Sequence, residues 1–115
     1  MTTLRITQDA RQDLSKIRIY THHEYGARQA MIYLDHLKQG FKTLRAHPDI
    51  GFSIDHLKPG YRGFRVQRHC IFYTLIDDVI AVVAILHESQ LPRRQLDQRD
   101  RGQLLALIGH SICLN

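Results

Sequence analysis

The densest set of chemically capable side chains in this sequence is Lys58, Arg62, Arg65 and Arg68, four cations within eleven positions with no acid among them. Guanidinium groups recognise phosphate or carboxylate through paired hydrogen bonds, and Tyr61 and Phe64 interleave with them here. Charge on an edge strand also protects it from aggregation, so spacing alone leaves both explanations open. On a strand, Arg62 and Arg68 share a face with Phe64 and Val66, while Arg65 points the other way with Gly63 and Gln67.

Eight histidines prompt a metal test. His22 and His23 diverge by about 100° on a helix, no HxxxH or HExxH spacing occurs, and Cys70 and Cys113 lie far apart. No metal or other cofactor is expected. His69, placed in a hairpin turn, and His87, at the end of the last strand, are the better site histidines, although a histidine at a strand end is more often structural. There is no GxSxG, P-loop or GxGxxG. Asp77-Asp78 is explained by a turn. RNA cleavage needs cations for the phosphate and an acid or base near the 2′-hydroxyl. Arg62, Arg65, Arg68, His87 and Glu88 supply those residue types without establishing their geometry.

These residues are positioned by the following elements. Leu4 and Ile6 alternate about Arg5, predicting a short strand, and Thr7 caps a helix beginning near Gln8 and running to about Glu24. Asp9 and Asp13 suit its positive end. Ala10, Leu14, Ile17 and Thr21 form one apolar stripe, and Tyr25-Gly26 breaks the helix. Ala27, Ala30, Leu34, Leu37, Phe41 and Leu44 mark a second helix ended by His47-Pro48, antiparallel to the first.

Residues 49–60 are expected to be irregular. Strands then follow at Arg62 to Gln67, Cys70 to Ile76 and Val79 to His87. The run Val79 to Leu86 does not alternate, so it belongs inside the sheet with both faces covered. The fold class is α+β, in the order β-α-α-β-β-β, with a helical hairpin on one face of a small, mostly antiparallel sheet. The other face is expected to stay open for a partner. Beyond Asp97, a short amphipathic helix containing Leu104 to Ile108 is suggested, against which Gly102 and Gly109 count.

With 115 residues, the chain fits one domain. Its 43% hydrophobic and 23% charged residues exclude a disordered or low-complexity protein. The longest apolar run is far shorter than the ~20 residues of a membrane helix. No secretory h-region begins the chain, and two unpaired cysteines fit the reducing cytoplasm. The net charge of +5 falls largely in the Lys58 to Arg68 region, since the helices are nearly balanced. That favours an acidic protein partner over generic or sequence-specific nucleic-acid binding.

The string Pro59 to Tyr73, followed after the Asp-Asp turn by Val82 to Arg94, resembles the ParE toxins of the RelE/ParE superfamily. Thr7 to Ile17 is similar to the family's first helix, and Tyr33-Leu34-Asp35 through Pro48-Asp49-Ile50-Gly51 to its second helix and exit loop. The resemblance covers about residues 4–96. It divides the chain into a toxin-like domain, residues 1–96, and a C-terminal extension, residues 97–115.

The resemblance implies the toxin of a type II toxin–antitoxin pair, one that binds DNA gyrase rather than catalysing a reaction. A ParD-type antitoxin would neutralise it by wrapping an acidic, amphipathic segment over the fold. Arg62, Arg65 and Arg68 would then meet acidic groups, with Arg93 and Arg94 assisting and His87 shaping the same region. The superfamily's alternative is a RelE-like ribosome-dependent mRNA endonuclease, which often carries a tyrosine shortly after the last strand. Tyr73 is the last tyrosine here, which counts against the nuclease, while His87 keeps it open. A third alternative is a degenerate toxin that only binds its antitoxin.

Overall fold

The structure, a computed structural model, describes residues 2–90 together with Pro92 and Leu96. The alternating N-terminal segment forms β1 (Thr3–Ile6), and the Thr7 hydroxyl accepts from the Ala10 amide at 3.2 Å to start α1 (Gln8–Tyr25). α1 buries Ala10, Ile17 and Thr21, the expected stripe. One residue, Gly26, ends this helix and begins α2 (Ala27–Ala46). Its N–H donates to the His22 carbonyl at 2.9 Å and its own carbonyl accepts from Ala30 at 3.1 Å. Its φ of 91° lies where a Cβ is disfavoured, so this one-residue link depends on glycine. The α2 seam buries Ala30, Leu37 and Leu44, with Leu34 and Phe41 half-buried; Ala27 is exposed, so the seam starts one turn later than its spacing suggested.

Four further strands follow: β2 (Phe52–Ser53), β3 (Tyr61–Val66), β4 (His69–Ile76) and β5 (Val79–His87). They join in the order β1-β5-β4-β3-β2, parallel between β1 and β5 and antiparallel elsewhere. The expected α+β arrangement is therefore present, with one short strand inside the stretch expected to be irregular. Asp77 and Asp78 take φ of 49° and 64°, the doubly positive two-residue turn that suits the twist of a hairpin.

The β3–β4 turn differs from expectation by one residue. Gln67 takes φ of 57° and the turn is Gln67-Arg68, so Val66 pairs with His69. His69 is thus the first residue of β4 and not a turn residue. Strand alternation places it on the same face as Ile71, which belongs to the core beneath the helices.

The unbroken apolar run of β5 contains a β-bulge. Tyr73 pairs with Val82 and Phe72 with Ala84, leaving Val83 as the extra residue. Ile80, Val82 and Ile85 belong to the helix-side core, whereas Val83, Ala84 and Leu86 belong to the core on the opposite face. Past Val82, β1 no longer pairs with β5. There the Asp13 carboxylate accepts from the Ile85 amide at 3.0 Å, so Asp13 joins α1 to the sheet in addition to sitting early in its helix.

The opposite face is not open along its length, as had been expected. Ile54, Leu57 and Leu96 pack there with Tyr61, Phe72, Val83 and Leu86 into a second apolar cluster. The segment after β2 folds over the sheet because the Ile54 amide donates to the Tyr61 carbonyl at 3.0 Å. Lys58 Nζ then donates to the Leu96 carbonyl at 3.3 Å. The helix suggested within residues 97–115 lies outside the described residues.

Gly51 sits where the exit loop of α2 meets the sheet. A Cβ there would lie 2.6 Å from the Tyr73 hydroxyl oxygen and 2.7 Å from the Gly63 carbonyl oxygen, and the latter, being backbone, has little room to yield. Gly51→Ala should therefore lower unfolding free energy by about 1–3 kcal/mol in urea titrations. Wild-type stability in that variant would mean that the loop is not fixed against the sheet.

Candidate functional site

The cations that are neighbours in sequence do different work in space. Lys58 holds the Leu96 carbonyl and lies 5.0 Å from the centre of the Tyr61 ring. Arg62 is half-buried, and its Nη1 donates to the carbonyls of Gly51 at 2.6 Å and Asp49 at 3.4 Å, bracing the exit loop of α2. Arg65 and Arg68 are exposed and converge on one carboxylate, that of Glu88 just past β5. Arg65 hydrogen-bonds one oxygen directly, and Arg68 lies 3.8 Å from the other. The acid missing from the local sequence is thus supplied by a residue twenty positions further along the chain.

Arg65 and Arg68 retain side-chain exposures of 61% and 75%, so solvent screens the ion pairs. Glu88→Gln should change stability by less than about 1 kcal/mol, measured by thermal or urea unfolding, while raising the local positive potential. A larger loss would make Glu88 a structural anchor. Arg93 and Arg94 lie outside the described residues.

On the helix side, the bulge at Val83 brings His87 onto the face shared by Ile85 and His69. The His69 and His87 rings meet edge to face with centroids 5.2 Å apart, and Tyr33 from α2 meets His69 at 5.4 Å. The Tyr33 hydroxyl accepts from the Arg68 amide at 3.3 Å and shares a hydrogen bond of 2.5 Å with His69 Nδ1. Burial, followed by the neighbouring His87, holds the His69 imidazole down to about 4, although Glu88 pulls the other way. His69 is therefore neutral at pH 7. Burial also pushes the Tyr33 phenol up, against the influence of Arg68.

The Ser89 amide donates to His87 Nδ1 at 3.1 Å, which places the proton of the neutral ring on Nε2. Cys70, on β4, is pushed up to about 11 by burial, so it remains a thiol and a poor nucleophile.

Two depressions flank this end of the sheet. One, about 520 Å³, opens between the α1–α2 turn and the β3–β4 tip, lined by Tyr20, Thr21 and Tyr25 of α1, Gln29 and Tyr33 of α2, and Arg68, His69 and His87 at the end of the sheet. The second, about 240 Å³ on the opposite face, is largely apolar, with Phe52, Ile54, Leu57, Phe72 and Leu86 beside Arg65 and Glu88. Among the described residues, no group of three or more His, Cys, Asp or Glu is placed to hold a metal.

Sequence reasoning missed Tyr33 and misplaced His69. Tyr33 adjoins Leu34 of the α2 seam, and helical period alone does not show that its hydroxyl reaches residues thirty-five and thirty-six positions away. Glu88 was weighed only as an acid for RNA cleavage, and its place between two guanidiniums depends on the register of β5.

Comparison with known proteins is consistent with this geometry. A family model described as "ParE toxin of type II toxin-antitoxin system, parDE" matches residues 4–92. Toxin ParE1 of Caulobacter vibrioides is 28% identical over 96 residues, covering 84% of this chain and 99% of that protein. Toxin ParE1 of Mycobacterium tuberculosis is 34% identical over 88 residues, covering 76% and 90%. Toxin ParE of Escherichia coli is 34% identical over 103 residues, covering 89% and 100%. Among solved structures, the chromosomal ParDE TA system from P. aeruginosa matches with a TM-score of 0.67 at 19% identity, covering 76% of this chain and 96% of that one, which supports the fold.

Proposed function

Because this chain belongs to the ParE family of type II toxin–antitoxin toxins, we propose that it arrests growth in the cytoplasm by binding DNA gyrase, without chemistry of its own, and that a ParD-type antitoxin neutralises it. The observation that carries the surface chemistry is the exposed Arg65–Glu88–Arg68 set beside the apolar depression of Phe52, Ile54, Leu57, Phe72 and Leu86. An acidic, amphipathic segment matches it on both counts, with apolar side chains for the depression and carboxylates for the arginines. Arg62 contributes by bracing the loop that carries Phe52. Residues 1–96 are the toxin unit in this proposal, with Arg93 and Arg94 adding positive charge for the same acidic partner.

Adding the purified chain to gyrase should inhibit supercoiling, and adding its antitoxin should restore it. Unchanged supercoiling across a wide range of toxin concentration rules out gyrase as the target.

One observation favours a second reading. His87 presents a protonated Nε2 in the neighbourhood of the Arg68 guanidinium, the pairing that phosphodiester cleavage requires. Message cleavage in a translating extract, abolished by His87→Ala, supports a RelE-like endonuclease; an intact message removes it. Absence of growth arrest on expression without antitoxin identifies a degenerate toxin.

A further inference from the structure

The cleft between the α1–α2 turn and the β3–β4 tip is the larger of the two depressions, and it shares Arg68 and His87 with the surroundings of the other. Its volume of about 520 Å³ is within the range of small-molecule sites. Tyr20 and Tyr25, 62% and 65% exposed, line it together with the packed rings of Tyr33, His69 and His87. Two exposed tyrosines and a packed set of rings in one cleft offer surfaces on which a flat aromatic ligand can stack.

The polar groups narrow the choice. Gln29 offers both an amide donor and an amide acceptor, as the edge of a heteroaromatic base requires and a hydrocarbon ring does not. His87 donates from Nε2, since the Ser89 amide occupies Nδ1. Arg68 lines the cleft, and its side chain is 75% exposed with Nη1 3.8 Å from a Glu88 oxygen, a loose pairing that an incoming anion can replace. Among the described residues, those lining the cleft include no carboxylate, and Glu88 stands outside that lining beside Arg68.

We propose that this cleft binds a nucleotide, its base against the tyrosine and histidine rings and its phosphate on Arg68. The inference rests on the lining of this cleft, in which Arg68 is shared with the partner surface proposed above.

The test uses the purified full chain titrated with adenosine monophosphate, adenosine or inorganic phosphate, followed by calorimetry and by the NMR signals of the histidine rings. Saturable binding of adenosine monophosphate is expected, with adenosine about tenfold weaker and phosphate weaker still. Arg68→Gln should weaken the monophosphate about tenfold and leave adenosine unchanged. Tyr25→Ala, at an exposed position that the fold does not need, should weaken both about tenfold.

Three results overturn the inference: no saturable monophosphate binding, phosphate binding as tightly as the nucleotide, or variants that bind like wild type. Binding of an acidic, phenylalanine-bearing peptide in place of the nucleotide also overturns it and assigns the cleft to a protein partner. Because the readout is binding to the isolated chain, failure to inhibit gyrase leaves this inference standing, and failure to bind nucleotide leaves the gyrase proposal standing.

Discussion

Tyr73→Phe should cost about 1–3 kcal/mol of stability, and Tyr73→Ala about 3–5 kcal/mol beyond that. Tyr73 is fully buried in the middle of the sheet, and its hydroxyl is the junction between β4 and the exit loop of α2. It donates to the Pro48 carbonyl at 2.8 Å and accepts from the Gly51 amide at 3.0 Å. Removing that oxygen leaves two backbone groups without this partner, in a place where water has poor access. Removing the ring adds a cavity in a core shared with Leu37, Leu44 and Val82.

The effect should extend to the site, because the loop held by Tyr73 presents the carbonyls that Arg62 grips and leads into Phe52. Urea unfolding measures the two steps separately. A Tyr73→Phe variant as stable as wild type would falsify the junction.

Lowering the pH from 7 to 5 should destabilise the protein by about 1–2 kcal/mol more than it destabilises His69→Gln. The folded imidazole is held down to about 4 from an ordinary 6.5, by burial first and by His87 second. Below about pH 6.5 the unfolded chain takes up a proton that the folded chain refuses. Stability present above that pH is therefore lost progressively as the pH falls towards 4.

Burial first and the edge-on His87 ring second account for the refusal, against which Glu88 only partly compensates. The size is discounted for solvent reaching a half-buried ring. Parallel stability curves for wild type and His69→Gln between pH 5 and 7 make the comparison, and the histidines remote from His69 cancel in the difference. Identical slopes would show that His69 is protonated as readily in the folded chain as in the unfolded one.

The two predictions concern the middle and the first residue of one strand, and they show what can be read locally. Residues whose role is periodic were legible: the α1 stripe, the α2 seam from Ala30 to Leu44, and the Asp77-Asp78 turn all follow from spacing of 3.6 or 2 and from turn chemistry. The motif set from Thr7 to Arg94 led to the family for the same reason, since it is a property of the linear chain. Lys58 and Arg62 were legible as cations but not as braces. Their partners, Leu96, Gly51 and Asp49, are backbone carbonyls whose positions depend on loop geometry.

By itself, then, the amino-acid order determined the α+β class, the helical hairpin, the three-strand C-terminal meander and the cationic surplus near β3, because each depends on near neighbours in sequence. Tertiary structure decided which of those cations meet an acid and where His87 points. Strict alternation from Ile80 and Val82 would carry His87 to the face opposite the helices. The extra residue at Val83 reverses that parity and places the ring against His69 beneath Tyr33. A bulge is one residue of mismatch between two strands, so it becomes visible only when both are paired. The same pairing places Glu88 between Arg65 and Arg68, partly neutralising a cluster that is free of acid when read along the chain.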